Sequence, residues 1–198
     1  IFQSLERNRL MDNTIILFVS DNGGLAVGEA GSKPTVNDPL RAGKGTMYEG
    51  GIRVPMIAYW KGHFEGGRIN SSVLSTNDIF PTLLGIVRDN PKVAQTIDGV
   101  DRKTAFESDT LLTRDALYWH YPHFSNQGGR PKAAVRMGDM KLILSLEDDT
   151  SEVYDLGKDF GEKDNLVRRQ PELAAKMKDS ILRWLNRTEA PMPVKKSK

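Results

Sequence analysis

Two continuous apolar runs constrain the fold of this chain more than any other feature. Residues 14–20 and 54–60 are rich in β-branched, aromatic and other large apolar side chains and contain no charged residue. Such runs are typical of strands buried on both faces of a parallel sheet, as in α/β proteins. Because unpaired sheet edges are strongly avoided, further strands are expected outside this sequence. We therefore expect an α/β fold that is incomplete at its N-terminus, and the start at Ile1 is expected to be a cut one.

The second half of the chain has a different pattern, with short strands and one long helix. Strands are predicted at residues 116–121, 133–137, 141–146 and 152–156. Gly138-Asp139 suits a hairpin turn between the middle two. From Pro171 onward the apolar residues recur at helical spacing: Leu173, Met177, Ile181, Trp184 and Leu185. The predicted organisation is the C-terminal part of an α/β domain at 1–110, a four-stranded antiparallel sheet packed with a C-terminal helix at 111–190, and a disordered tail at 191–198.

Composition excludes several classes of function. The formal net charge is +2, and 38% of the residues are hydrophobic against 27% charged, which is the balance of a soluble globular protein. Nothing in the charge pattern indicates a nucleic-acid or membrane partner. The absence of cysteine excludes disulfides, thiolate zinc sites and cysteine nucleophiles from this chain. The apolar runs are far shorter than the roughly 20 residues of a membrane helix, and no leader sequence is recognisable.

The first candidate site comes directly after the first apolar run. Asp21 and Asn22 follow it, at the position where open α/β sheets commonly bind ligands. A carboxylate and an amide carbonyl suit a hard cation such as calcium, whereas an Asp-Asn-Gly sequence alone is also a common turn. Lys44 lies between two glycines and is sterically free to approach an anionic ligand, the alternative being a flexible loop lysine.

These two segments carry a resemblance to a known family. Residues 15–24 and 40–55 closely resemble the type I, formylglycine-dependent sulfatases of the alkaline phosphatase superfamily, the arylsulfatase-like enzymes. The resemblance continues nearly to the end of the chain through ordered motifs at residues 78–84, 98–100, 134–143, 154–156 and 162–166. The chain is similar to the C-terminal portion of such an enzyme, which implies part of an alkaline phosphatase-like sheet followed by the small subdomain.

The resemblance also implies roles for individual residues. Asp21 and Asn22 look like the second pair of calcium ligands, and Lys44 looks like the lysine that contacts the sulfate group of the substrate. Glu49 and Arg53 are expected to form a structural ion pair or loop anchor. The Cys/Ser-x-Pro-x-Arg motif that matures to formylglycine does not occur in this sequence. We therefore expect the nucleophile in the missing N-terminal part of the same protein, inactivity of this chain alone, and a periplasmic or secreted parent.

An aromatic and amide-rich segment at residues 118–131 resembles the corresponding segment of bacterial sulfatases. Aromatic faces and amides suit the stacking and hydroxyl hydrogen bonds of a sugar. Its candidates for recognising the leaving group, which is the sugar if the substrate is a sulfated sugar, are His120, His123, Asn126 and Gln127. For His120 the alternative is a packed strand residue.

Two other functions remain open from the sequence. A non-catalytic module would bind a sulfated glycan or a partner without hydrolysing it. A phosphate-ester hydrolase of the same superfamily would use two zinc ions bound by Asp and His, but this chain has only three histidines. In isolation the chain is also expected to oligomerise through its unpaired sheet edge or an exposed core face.

Overall fold

The computed structural model describes residues 1–27, 34–88 and 94–194. Contacts divide the chain into a first unit, residues 1–19 and 55–114, and a second unit, residues 20–54 and 115–198. Residues 20–54, which carry Asp21, Asn22 and Lys44, thus group with the C-terminal part of the chain. The boundary near residue 110 stays a prediction, as does the tail, of which residues 195–198 lie outside the described residues.

Helices and strands alternate irregularly along the chain. The strands are β1 (Ile16–Val19), β2 (Met56–Tyr59), β3 (Leu117–Tyr121), β4 (Lys132–Met137), β5 (Met140–Ser145) and β6 (Ser151–Asp155). The α-helices are α1 (Phe2–Arg7), α2 (Glu49–Ile52), α3 (Ile79–Val87), α4 (Lys103–Glu107) and α5 (Pro171–Arg187). Short 3-10 turns cover Met11–Asn13 and Thr76–Asp78. Within the described ranges, no helix combines the length and the apolar character needed to cross a membrane.

The first unit contains the two apolar runs as a two-stranded ribbon. β1 and β2 pair in antiparallel orientation, with Phe18 opposite Ile57 and Ile16 opposite Tyr59. The expected parallel arrangement is therefore wrong for this pair, because an apolar run reports burial and not strand direction, and mixed sheets are common. Leu17 faces an apolar pocket lined by α3 residues. Phe18 and Ile57, on the opposite face, are 63% and 61% exposed, so the ribbon is covered on one face only.

The N-terminus of α3 is held by a buried carboxylate. Asp78 accepts hydrogen bonds from the backbone N–H of Ser75 (2.8 Å) and of Val100 (3.0 Å), and it also pairs with Arg114. A carboxylate at this end of a helix satisfies free backbone donors and opposes the positive end of the helix dipole. This contact joins three separate segments of the first unit.

The second unit contains the predicted small sheet. Its strands run in the order β3-β4-β5-β6 with every neighbour antiparallel. β4 and β5 are joined by Gly138-Asp139, and Gly138 has the positive φ of 58° that a tight hairpin turn favours. α5 packs on one face through Met177, Ile181 and Leu185, which bury against the strands. The predicted four-stranded sheet with its C-terminal helix is confirmed.

The other face of the small sheet is covered by the segment that carries Lys44. Met47 and the partly buried Tyr48 pack on Ala134, Ile143 and Tyr154, which alternate with the residues facing α5. Side chains on a strand point alternately to the two faces, so one sheet holds α5 on one side and residues 41–54 on the other. The sheet therefore serves as the platform on which the candidate site is built.

Candidate functional site

The Asp21–Asn22 turn is hydrogen-bonded through its backbone to residues 41–54, the Lys44 segment. The N–H of Lys44 donates to the carbonyl of Gly24 at 3.0 Å, and the N–H of Gly23 donates to the carbonyl of Gly51 at 3.0 Å. Residues 25–40 separate the two segments in the sequence. These hydrogen bonds place the candidate metal ligands and the candidate sulfate-binding lysine on neighbouring backbone segments.

Two glycines make this approach possible. A Cβ atom at Gly23 would lie 1.7 Å from the carbonyl oxygen of Gly50, and one at Gly43 would lie 2.3 Å from the carbonyl oxygen of Gly24. Real Cβ atoms essentially never come within 3.0 Å of a heavy atom outside their own residue and its chain neighbours, so any side chain here would push the segments apart. Glycine is needed at both positions because backbone packs directly on backbone.

Asn37 closes the same region and was not among the residues predicted from the sequence. Its side-chain oxygen accepts from the N–H of Gly24 at 3.1 Å, and its amide nitrogen donates to the carbonyls of Gly24 and Ala42 at 2.9 Å each. One side chain thus ties the turn after Asn22 to the residues just before Lys44. Its only sequence signal is a polar residue in a glycine-rich loop, which does not distinguish it from its neighbours.

The donor atoms of Asp21 and Asn22 fit a hard cation. Asp21 is exposed and Asn22 is half-buried. The amide nitrogen of Asn22 donates to the carbonyl of Gly23 at 3.1 Å, so the side-chain oxygen points away from that carbonyl. Calcium accepts carboxylate and amide oxygens but takes six to eight ligands. Across residues 1–27, 34–88 and 94–194, no cluster of three or more His, Cys, Asp or Glu side chains is placed to hold a metal. These two residues can therefore be only part of a coordination shell.

The segment after β3 contacts the Lys44 segment directly. A Cβ at Gly45 would lie 2.8 Å from the hydroxyl of Ser125 and 3.0 Å from Cβ of Gln127. The structure thus brings Gln127 next to the residue that follows Lys44. Lys44 itself is exposed, as are His123 and Asn126. The His123 ring lies edge-on to Tyr121, with 5.5 Å between ring centroids.

His120 is placed differently from the other sequence candidates. It faces α5, because it pairs with Ala133 in the register of β3 with β4, whereas Trp119 and Tyr121 face the Lys44 segment. Its Nε2 is hydrogen-bonded to the carbonyl of Pro191 at 2.7 Å. The structure therefore does not bring His120 to Lys44, and the alternation of side chains along a strand is the physical reason.

A buried charged cluster lies beneath the Lys44 segment. The Lys141 ammonium is 2.8 Å from Oε1 of Glu49 and 2.8 Å from Oε1 of Glu162. Arg53 forms the expected ion pair with Glu49 at 3.7 Å from the exposed side, and Lys141 makes the shorter, buried contact with the same carboxylate. Burial raises the pKa of Glu162, although Lys141 opposes this effect.

A second polar network flanks the cluster. Arg41 lies 3.9 Å from the ring centre of Tyr48 and donates to the hydroxyl of Tyr154 at 2.8 Å. Both tyrosine hydroxyls donate to Glu152, which also pairs with Lys132. Burial alone would raise the pKa of Glu152, but these hydrogen bonds and the lysine outweigh it and leave the pKa lowered. Burial, followed by the bond to Glu152, raises the pKa of Tyr48 to about 12.

Known proteins similar to this chain include sulfatases. A family model described as Sulfatase matches residues 1–89. A sulfatase of Formosa agariphila is 34% identical over 92% of this chain and 34% of its own length. Among solved structures, Ps i-CgsB in complex with k-i-k-neocarrahexaose is 30% identical with a TM-score of 0.75, over 92% of this chain and 38% of that one.

A further solved structure extends the comparison to nearly the whole chain. BT4656 in complex with D-glucosamine-2-N,6-O-disulfate is 25% identical with a TM-score of 0.75 and covers 99% of this chain and 39% of its own. The chain spans about a third of the length of the curated relatives it matches.

Proposed function

This chain belongs to the sulfatase family, and on that basis we propose that it supplies one part of the calcium and sulfate site of a sulfuric ester hydrolase. The observation that carries the proposal is the backbone pairing of Lys44 with Gly24, which joins the candidate cation ligands to the candidate anion-binding lysine. A cation and an ammonium that converge on one ester group would stabilise the charge that develops as the sulfur to oxygen bond breaks.

Asp21 and Asn22 are the residues of this chain that would hold the calcium ion. When bound, calcium supplies positive charge to the sulfate oxygens as a Lewis acid. Lys44 would contact a sulfate oxygen as a compact point charge with three donors. The glycine-packed backbone around Gly23 and Gly43 supports this role, because a fixed loop loses little conformational freedom on binding.

The nucleophile is the part of the reaction that this sequence does not contain. It has neither a cysteine nor a Ser-x-Pro-x-Arg motif. The proposal therefore places a formylglycine, derived from a Cys or Ser, and the remaining calcium ligands in an N-terminal part of the same protein. A metal-binding half without a nucleophile does not turn over substrate.

The substrate we propose is a sulfated sugar. BT4656 and Ps i-CgsB were solved with sugar ligands, and the first of these is a disulfated glucosamine. In this chain His123, Asn126 and Gln127 lie on the segment that contacts Gly45, which supports their role in holding the leaving group. His120 is left out of this role because its ring is engaged with Pro191.

An activity assay of the full-length protein tests the proposed function. The matured parent is expected to hydrolyse an aryl sulfate and to lose that activity with a calcium chelator, because calcium and Lys44 act on the same ester group. The isolated chain of 198 residues is expected to be inactive under the same conditions. An aryl phosphate serves as the comparison substrate. Faster hydrolysis of the phosphate would contradict the sulfatase proposal and favour a phosphate-ester hydrolase. Binding of sulfated glycans without any hydrolysis would contradict it in favour of a non-catalytic binding module.

We also propose that the isolated chain self-associates through the open face of the β1–β2 ribbon. Phe18 and Ile57 are paired across the ribbon and mostly exposed, with Tyr59 beside them at 37% exposure. A contiguous exposed apolar face of this kind favours association. Sedimentation velocity of the isolated chain is expected to show dimers or larger species. A stable monomer across the accessible concentration range would reject the proposal.

A further inference from the structure

We propose that Glu162, acting with Lys141 and Glu49, is a positioning residue that fixes Lys44 at the sulfate site. This inference rests on the proposed function of Lys44. Lys141 and Glu162 lie far from Lys44 in the sequence, on β5 and in the loop after β6, whereas Glu49 begins α2 in the same segment as Lys44.

Glu162 holds the Lys44 segment on both sides of Lys44. Its carboxylate Oε2 accepts from the backbone N–H of Glu49 at 2.6 Å, and its backbone carbonyl accepts from the Arg41 guanidinium at 2.8 Å. Residues 41 and 49 enclose the glycine-flanked lysine in the sequence. A shift of Glu162 would therefore move both attachment points of the segment together.

Lys141 completes the anchor from the sheet. Its ammonium is fully buried and contacts the carboxylates of both Glu49 and Glu162. Because Lys141 lies in a central strand, its position is set by the ladders of β5 with β4 and β6. One hydrogen bond of 2.8 Å links Lys141 directly to Glu49, the first residue of α2, and the other, also of 2.8 Å, links it to Glu162, which in turn accepts from the backbone N–H of Glu49.

The cluster is poorly explained by stability alone. It holds two carboxylates and one ammonium, all at most 3% exposed, and burial raises the pKa of Glu162. Buried ion pairs are often no more stabilising than apolar residues of the same volume. The cluster instead fixes the position of the Lys44 segment relative to the sheet, because hydrogen bonds restrict the distance and angle between segments more narrowly than apolar contacts do.

The substitution Glu162→Gln in the full-length parent is the sharpest test. Both carboxylate oxygens of Glu162 face donors, namely Lys141 and the N–H of Glu49, so an amide must turn its NH₂ group toward one of them. Glu49→Gln is milder, because its amide oxygen can keep Lys141 while the NH₂ group turns to the open side near Arg53. We expect kcat to fall about 10- to 100-fold for Glu162→Gln and less for Glu49→Gln, in line with the cost of a misplaced catalytic group.

A double-mutant cycle separates positioning from a general loss of structure. In a Lys44→Ala background, Glu162→Gln is expected to lower kcat by less than about threefold, because the group it positions is gone. Lys178→Met, which breaks the exposed pair with Asp149 in the same unit, serves as the control and is expected to leave kcat unchanged. Thermal unfolding is followed for each variant, and Glu49→Gln takes the place of Glu162→Gln in the cycle if the latter does not fold.

The outcomes distinguish this inference from the proposed function. If Glu162→Gln lowers kcat by the same factor in the wild-type and Lys44→Ala backgrounds, the positioning role is wrong. It is also wrong if the folded Glu162→Gln single variant has wild-type kcat. Neither result contradicts the proposed role of Lys44. Unchanged activity of Lys44→Ala alone overturns the proposed function, and the inference with it. A strong single effect that disappears in the Lys44→Ala background supports both.

Discussion

Replacing Lys44 with alanine in the full-length protein is expected to lower kcat/KM for an aryl sulfate by about 100- to 1000-fold, the usual effect of removing one preorganised group from a site of developing charge. The side chain is exposed on a loop whose backbone is fixed by Gly24 and Asn37. Truncation should therefore remove the ammonium without disturbing the fold. Steady-state kinetics together with thermal unfolding measure the two effects separately.

Lys178→Ala is the matched control for this prediction. Lys178 is a lysine of the second unit that pairs with Asp149, and it lies on α5, on the other face of the small sheet from the Lys44 segment. Its loss is expected to leave kcat/KM unchanged. Equal activity of Lys44→Ala and the wild-type protein, with both folded, would remove Lys44 from the reaction.

Replacing Asp21 with alanine is expected to weaken calcium binding by the full-length protein. Loss of an outer-shell partner of a metal ligand typically costs roughly 10- to 100-fold in affinity, and the loss of a ligand should cost no less. Activity is expected to fall with it and to recover in part at high calcium concentration, because mass action refills a weakened site. Calcium titration of the aryl sulfatase activity measures both effects.

The control for Asp21 is Asp149→Ala. Asp149 is an exposed turn aspartate of the second unit whose carboxylate pairs only with Lys178 among the residues that the structure describes. Its removal changes the net charge by the same amount as Asp21→Ala. The calcium dependence of activity is expected to stay at the wild-type value.

The small sheet and its helix could be predicted from the sequence because local rules agree there. Short apolar stretches lie on either side of Gly138, which suits a tight turn, and Met177, Ile181 and Leu185 recur at the helical period. Consistent local preferences of this kind make an element easy to recognise without its tertiary context. The direction of β1 relative to β2 could not be predicted in the same way, because a continuous apolar run carries no information about its partner.

The candidate site could be predicted only in part. The sequence and the family resemblance supply Asp21, Asn22 and Lys44 as candidates, and their roles stay predictions. Glu162 and Asn37 were not found as site residues, because their roles depend on contacts with segments distant in the sequence. For His120, the sequence predicts the strand but not which face of the sheet each side chain points to. His120 points away from the face that the Lys44 segment covers. Roles that depend on long-range contacts are therefore not visible in the sequence.

Calorimetry with calcium on the full-length protein decides whether the turn after β1 is part of a metal site. We expect one calcium site in the wild-type protein, and binding weaker by roughly 10-fold or more in Asp21→Ala, with Asp149→Ala unchanged. Equal calcium affinity in the folded Asp21→Ala and wild-type proteins would show that the ion lies elsewhere, and the proposed junction of cation and lysine would then be wrong.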